Sequence, residues 1–305
     1  MSMLGYETRV KLTDIQFGLE LEHTGLKRLE TAEVLSEYFD CQYIHTRDHG
    51  LDCYKLDNGW KVVSDSSVSA YPESNEVVTP VMSFEDIDIL KGALQALQDA
   101  GAYTDKTCGI HVHVSNPHMV EVATVKKLLE HDFTRYDMIY LATRGYKRWS
   151  APQNEDFVKK ASKMTSRSAL RDMWYETYAP HEDMDEHYNS SRYHGLNLHS
   201  LYQGKGVEFR YFQSTFDWSK VKAYIELSAG MLKDAINSYK MRRYLYIDRP
   251  YNKVYDRDNR SEYRTIADCT YIPDRILYKY ATLWEGYLDR MGISAESKKV
   301  LLENF

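Results

Sequence analysis

Short segments of the chain alternate apolar and polar residues, and this period of two predicts β-strands with one buried face. In the first segment, Phe17, Leu19 and Leu21 fall on one face. Glu20 and Glu22 fall on the other face. By the same pattern, strands are predicted over residues 15–23, 60–65, 76–79, 109–114, 193–200 and 206–212.

Apolar residues between the strands recur every three or four positions, which predicts amphipathic helices. Ser83 and Asp86 form a capping-box pattern that begins one helix, and Gly101 ends it. A long helix is predicted to begin where Pro117 follows Asn116. Further helices are predicted over residues 31–39, over residues 218–239 and after residue 273. Strands that pair as hairpins, with helices in blocks, favour an α+β fold with a largely antiparallel sheet over a parallel doubly wound sheet.

Net charge and chain organisation narrow the class of protein. The 305-residue chain has a formal net charge of −6, so its overall charge gives no signal for a nucleic-acid partner. Residues 144–148 could still form a local basic patch. Without an internal repeat or linker, residues 1–305 are predicted to form one domain, with residues 240–305 as a C-terminal helical extension of unassigned role.

Apolar runs and cysteines indicate the compartment. No run approaches the roughly 18 apolar residues that a membrane span needs, and the N-terminus has no apolar signal-peptide core. Four scattered cysteines, without a CxxC pair, favour a reducing compartment over a disulfide framework. They are Cys41, Cys53, Cys108 and Cys269. We therefore predict a cytoplasmic protein without a membrane partner.

Four of the predicted strands carry two polar residues separated by one apolar residue. The pairs are Glu20 with Glu22, His111 with His113, Asn197 with His199, and Glu208 with Arg210. A solvated strand face would explain any one pair. Four pairs rich in Glu, His and Arg instead predict, if the strands are neighbours, that these side chains share one face and form a site.

Charge repulsion sharpens this prediction. The glutamates expected on the shared face are Glu20, Glu22, Glu76 and Glu208. Two carboxylates about 5 Å apart repel by roughly 3 kcal/mol at an effective dielectric constant near 20. Gathering four of them is therefore unfavourable without cations, and hard carboxylate oxygens favour Mg²⁺ or Mn²⁺, which commonly also hold phosphates. Arg192 and Arg210 would add donor forks for phosphate or carboxylate.

Six short segments in order along the chain resemble the amidoligase family, a member of the glutamine synthetase and glutamate–cysteine ligase superfamily. They span residues 17–22, 60–67, 75–80, 108–114, 192–198 and 207–212. The resemblance covers roughly residues 15–230. It implies a glutamine synthetase-like catalytic fold, in which a curved antiparallel sheet cradles ATP and metal and helices pack on its outer side.

The resemblance also implies a reaction. ATP phosphorylates a substrate carboxylate, and an amine then attacks the acyl phosphate to leave an amide. Arg210 is expected to stabilise charge on the transferred phosphoryl group, and Asp65 to act as the general base for the amine. The identity of the small-molecule or peptide carboxylate, that of the amine and the oligomeric state stay open.

The remaining roles follow from the same resemblance. The four glutamates become metal ligands, and His111 or His113 contacts metal or phosphate. Arg192 and Asn197 are expected to position substrate or nucleotide.

Two other functions compete with the ligase. His111 and His113 could hold Zn²⁺ beside the glutamates in a metal-dependent hydrolase. The chain could also be an inactive binding module on the same fold.

Seven other histidines are predicted to lie on the surface or in loops, and His199 stays a candidate for the site. The seven are His45, His49, His118, His131, His181, His187 and His194.

Overall fold

The computed structural model describes residues 9–65, 74–143, 149–238 and 274–305. Its strands are β1 (Gln16–His23), β2 (Tyr43–Asp48), β3 (Leu51–Leu56), β4 (Lys61–Ser64), β5 (Asn75–Val78), β6 (Gly109–Ser115), β7 (Leu196–Asn197) and β8 (Val207–Gln213). Within the described ranges they form one eight-stranded sheet in the order β2-β3-β4-β5-β1-β6-β8-β7. Every pairing in this sheet is antiparallel.

Helices fill most of the remaining described chain. They are α1 (Arg28–Phe39), α2 (Ile87–Asp99), α3 (Val122–Thr143), α4 (Glu155–Ala161), α5 (Arg167–Tyr178), α6 (Leu198–Tyr202), α7 (Trp218–Asn237), α8 (Asp274–Met291) and α9 (Ala295–Leu302). The predicted α+β class with a large antiparallel sheet is confirmed. Among the described helices, none is long and apolar enough to cross a membrane.

The alternation of the strands separates the core from the polar face of the sheet. Leu19 and Leu21 of β1, and Val112 of β6, are at most 1% exposed and belong to the core cluster that the helices complete. Helices α3 and α7 pack against the central strands β6 and β8. Because successive side chains of a strand point to opposite faces, Glu20 and His111 point away from this core.

One predicted strand is wrong, and the error concerns a candidate residue. Of residues 193–200, only Leu196–Asn197 form a strand, and α6 begins at Leu198. The side-chain oxygen of Asn197 accepts a hydrogen bond from the backbone N–H of His199, at 2.9 Å, and so caps α6. His199 therefore lies on a helix and does not share a strand face with Asn197.

Two further differences are local. Asn116 caps a short 3₁₀ helix, Pro117–Val120, and the long helix begins only at Val122, because Glu121 is extended. The hairpin of β2 and β3 was not predicted. Its two-residue turn, His49 with φ 47° and Gly50 with φ 85°, is of the left-handed kind that fits the twist of a hairpin.

The C-terminal helices pack on the helical layer. The Tyr287 hydroxyl in α8 lies 3.2 Å from Nδ1 of His131 in α3. Asn304, just after α9, donates a hydrogen bond from Nδ2 to the carbonyl oxygen of Ala142, at 3.0 Å. The predicted basic patch at residues 144–148 and Cys269 lie outside the described residues.

Candidate active site

A cavity of about 570 Å³ opens on the polar face of the sheet. The residues predicted for the site that line it are Glu20, Asp65, Glu76, His113, Arg192, Asn197, Glu208 and Arg210. Glu22 and His111 lie beside this group, with Nε2 of His111 3.8 Å from Oε1 of Glu22. The structure therefore brings all ten predicted residues together. We call Glu20, Glu22, Glu76, Glu208 and His111 the acidic floor.

Strand register explains why residues so far apart in sequence meet. Glu22 of β1 lies opposite Glu76 of β5, and Glu20 lies opposite His111 of β6. Glu208 of β8 lies opposite both His113 and Asn197, because β8 runs between β6 and β7.

A bulge in β8 adds Arg210 to the acidic floor. Ile110 pairs with Phe212, but Val112 pairs with Phe209, so His111 faces two residues of β8. Bulges of this kind change the direction of a side chain and often occur beside active sites. Nη1 of Arg210 lies 3.3 Å from Nδ1 of His111.

Two histidines share Glu20. Nδ1 of His111 and Nε2 of His113 each lie 3.0 Å from a different oxygen of this carboxylate. Burial alone would raise the pKa of Glu20, but the charge of His113 and the hydrogen bonds from both rings hold it well below its usual value. Burial also lowers the pKa of His111, whereas at His113 the charges of Glu20 and Glu208 outweigh burial and raise the pKa.

Glu208 is held by two donors. Nη1 of Arg210 donates to its Oε1 at 2.5 Å, and Nδ2 of Asn197 donates to its Oε2 at 2.6 Å. Burial opposes ionisation, but the charges of Arg210 and His113 lower the pKa of Glu208 to about 2. Asn197 therefore ties the start of α6 to Glu208. These contacts fit a residue that orients Glu208, and the expected contact of Asn197 with substrate or nucleotide stays a prediction.

On the other side of the acidic floor, at Glu22 and Glu76, neighbouring carboxylates raise the pKa more than nearby cations lower it. Burial, followed by the charge of Asp65, raises the pKa of Glu22 to about 8, although the backbone N–H of Gly109 donates to its Oε2 at 2.6 Å. Burial and the charges of Glu20, Asp65 and Glu22 raise the pKa of Glu76 well above its usual value. The carboxylates here repel each other.

The donor atoms of the acidic floor are spaced to fit divalent cations. One oxygen or nitrogen from each of Glu20, His111 and Glu208 lies within 4.8 Å of the other two. Glu22, Glu76 and His111 form a second such group. The carboxylate oxygens in both groups suit Mg²⁺ or Mn²⁺, and a cation would remove the repulsion between them. The residues therefore fit a metal site.

Asp65 and Arg192 enter the cavity from outside the strands. Asp65 follows the last residue of β4 and is close enough to raise the pKa values of Glu22 and Glu76 by its charge. Arg192 ends the short 3₁₀ helix Ser190–Arg192, and its guanidinium lies 5.2 Å from the centre of the Tyr188 ring.

The prediction for the remaining histidines is only partly right. His131 lies in α3 and is 2% exposed, so placing it on the surface or in a loop was wrong. His194 is 9% exposed but lies outside the named helices and strands, as predicted for a loop residue. His49 and His187, predicted as loop residues, do lie in loops, but they line the cavity together with His199. The alternation of residues along strands could not identify His49 and His187, because they lie in a hairpin turn and an irregular loop.

Comparison with known proteins agrees with the motifs. The model of the family described as "Putative amidoligase enzyme" matches residues 13–232, a span that contains every residue of the acidic floor. The chain therefore belongs to the amidoligase family, and membership indicates an enzyme that forms amide bonds. No curated protein matches the chain.

Proposed function

We propose that the protein is an ATP- and Mg²⁺-dependent (or Mn²⁺-dependent) ligase that joins a carboxylate to an amine through an acyl phosphate. The observation that carries this proposal is the acidic floor itself. Two groups of side chains that could hold a metal ion share His111. Their members Glu20, Glu76 and Glu208 line one cavity with Arg210 and Asp65. Carboxylate-held metal beside a guanidinium is the combination that phosphoryl transfer uses.

The first step places negative charge beside Arg210. An oxygen of the substrate carboxylate attacks the γ-phosphorus of ATP, the bond to the bridging oxygen breaks, and ADP leaves. Mg²⁺ held by the four glutamates and His111 would neutralise charge on the phosphates. Arg210 is oriented by its hydrogen bond to Glu208 and would stabilise the transferred phosphoryl group.

The second step needs a base. The amine nitrogen attacks the acyl carbon, the bond from that carbon to the phosphate oxygen breaks, and phosphate leaves with its electrons. The amine must lose a proton, and Asp65 would accept it. Arg192, on the cavity wall, would position substrate or nucleotide.

The remaining predictions belong to the same proposal. The fold would be glutamine synthetase-like, with residues 1–305 as one catalytic domain and residues 240–305 as its C-terminal extension. The substrates would be a small-molecule or peptide carboxylate and an amine, in the cytoplasm.

A substrate screen tests this function. The purified protein is incubated with ATP, Mg²⁺ and pooled amino acids and amines, and mass spectrometry detects a new amide together with ADP. Glu208→Gln serves as the inactive control, and Glu285→Gln, at an exposed position of α8, as the matched active control. Stoichiometric zinc in the purified protein, without nucleotide binding, would favour a hydrolase. No binding of millimolar ATP with Mg²⁺ would favour an inactive module.

A further inference from the structure

A second group of charged and ionisable side chains lines the cavity at its exposed end. We call His49, His187, Arg192 and Lys205 the cationic rim, and all four line the same cavity as the acidic floor. The side chain of His49 is 53% exposed, whereas that of Glu208 is 6% exposed. The rim therefore lies at the mouth of the cavity and the floor lies deep inside it.

The rim joins distant parts of the fold. The ring of His49, at the turn between β2 and β3, stacks on the ring of His187, with centroids 4.0 Å apart and an interplanar angle of 7°. His187 belongs to the segment that leads into β7, and β2 and β7 are the two ends of the sheet. The stacked rings therefore connect both ends of the sheet at the mouth.

The contacts of His187 show which charge dominates there. Nζ of Lys205 lies 3.1 Å from Nδ1 of His187, so the ammonium group donates and the ring nitrogen accepts without a proton. Burial, followed by the charges of Lys205, His49 and Arg192, lowers the pKa of His187 to about 4. Burial and these charges act in the same direction, and the contact with Lys205 places a cation directly beside the ring.

The two permanently charged residues of the rim form no close ion pair within the described residues. Neither Arg192 nor Lys205 forms an ion pair with any residue in the described part of the chain. Asp48, a carboxylate at this end of the cavity, is paired with Lys61 at 2.6 Å and lies 3.7 Å from Nε2 of His49. The guanidinium of Arg192 lies over the Tyr188 ring, which leaves its N–H groups at the edge of the plane available to a ligand.

We propose that the cationic rim binds a second anionic group of the acid substrate, so that the ligase acts on dicarboxylates or other polyanionic acids. The inference rests on the proposed function, which places the phosphates of ATP at the acidic floor. The rest of the nucleotide is an uncharged nucleoside and has no need of rim cations. An acid whose reacting carboxylate reaches the floor would place its other anionic group against Lys205 and Arg192.

Calorimetric titration with matched acids tests the rim. Succinate, glutarate and adipate are compared with butyrate, valerate and hexanoate, in Mg²⁺ without nucleotide. At least one dicarboxylate should bind roughly tenfold more tightly than its monocarboxylate partner, since hydrogen bonds between charged groups are the strong ones. Lys205→Met should remove most of this preference. Lys205→Arg should keep it, as should Lys163→Met, an exposed lysine that is not part of the cavity lining.

Two results would overturn the rim proposal. One is equal binding of all six acids, or an unchanged preference in Lys205→Met. The other is a Lys205→Met variant that loses affinity for the ATP analogue AMP-PNP while keeping its preference among the acids, because the rim would then hold nucleotide phosphates. Failure of the wild type to bind AMP-PNP with Mg²⁺, with the acid preference intact, would count against the ligase reaction and still support the anion site.

Discussion

The two faces of the central sheet are built by the same strands but differ in what they contribute to stability. On the face packed by helices, Leu19 and Val112 are fully or almost fully buried among apolar neighbours. On the opposite face, Glu20 and His111 are their immediate neighbours in the same strands. One face stabilises the fold by burial, whereas the other gathers carboxylates that a cation would stabilise.

Buried charge alone does not explain this difference, because the helical layer also contains ionisable groups. Nε2 of His131 lies 3.0 Å from Oδ2 of Asp234, and Arg290 lies 3.7 Å from the same oxygen. Burial opposes the charge of Asp234, but the hydrogen bond from His131 lowers its pKa. At Glu76 burial and the charges of neighbouring carboxylates raise the pKa instead. The charge of Asp234 is balanced by its neighbours, whereas the charges of Glu22 and Glu76 in the acidic floor are not.

The largest effect should come from removing a carboxylate of the acidic floor. We expect Glu20→Gln and Glu208→Gln to lower ATP-dependent amide formation at least about a hundredfold, because an amide cannot replace an anionic metal ligand. Circular dichroism should show an intact fold. Full activity in Glu20→Gln would make the metal assignment wrong.

A substitution on the apolar face should instead lower the free energy of unfolding. Leu19→Ala should lower the free energy of unfolding by about 2–5 kcal/mol, because it leaves a cavity in the core. Glu76→Gln should leave the free energy of unfolding of the metal-free protein unchanged or higher, because it removes repulsion. Urea denaturation measures both. An equal loss of unfolding free energy in the two variants would show that Glu76 stabilises the fold as Leu19 does.

Asp65→Asn separates the general base from the metal ligands. The amine-dependent step should slow by roughly a hundredfold, as for loss of a general base, while carboxylate phosphorylation is affected less. Rapid-quench measurements of ADP formation and amide formation distinguish the two steps. Equal slowing of both would place Asp65 with the metal ligands.

The smallest effect should come from Asn197→Asp, which keeps an oxygen for capping α6 but loses the amide donor to Glu208. We expect affinity for Mg²⁺ to fall roughly tenfold, since groups that orient metal ligands commonly have effects of this size. Asn154→Asp, at a similar cap of α4 outside the cavity lining, is the matched control and should bind Mg²⁺ as the wild type does. Equal affinities in the two variants would show that Asn197 acts only as a helix cap.

Local pattern predicted the parts of the site that lie on regular strands. Alternation in β1, β6 and β8 placed Glu20, His113 and Glu208 on polar faces, and the order of the motifs joined them into one site. Pattern failed at residues 193–200, where the capping side chain of Asn197 begins α6 and ends the strand.

The cationic rim could not be predicted in this way. The stacking of His49 on His187 depends on how a hairpin turn and a loop meet in three dimensions, and neither segment has a period that encodes this contact. Strand register and the bulge beside Arg210 likewise depend on the neighbouring strands.

Thermal unfolding with and without Mg²⁺ tests the central claim most directly. If the acidic floor binds the ion, Mg²⁺ at about a hundred times its dissociation constant should stabilise the wild-type protein by about 2.7 kcal/mol, and chelation should reverse the shift. Glu20→Gln and Glu208→Gln should lose most of it. The account would be contradicted if the melting temperature of the wild-type protein did not change with Mg²⁺ or Mn²⁺. It would also be contradicted if the ion raised the melting temperature of both variants as much as that of the wild type.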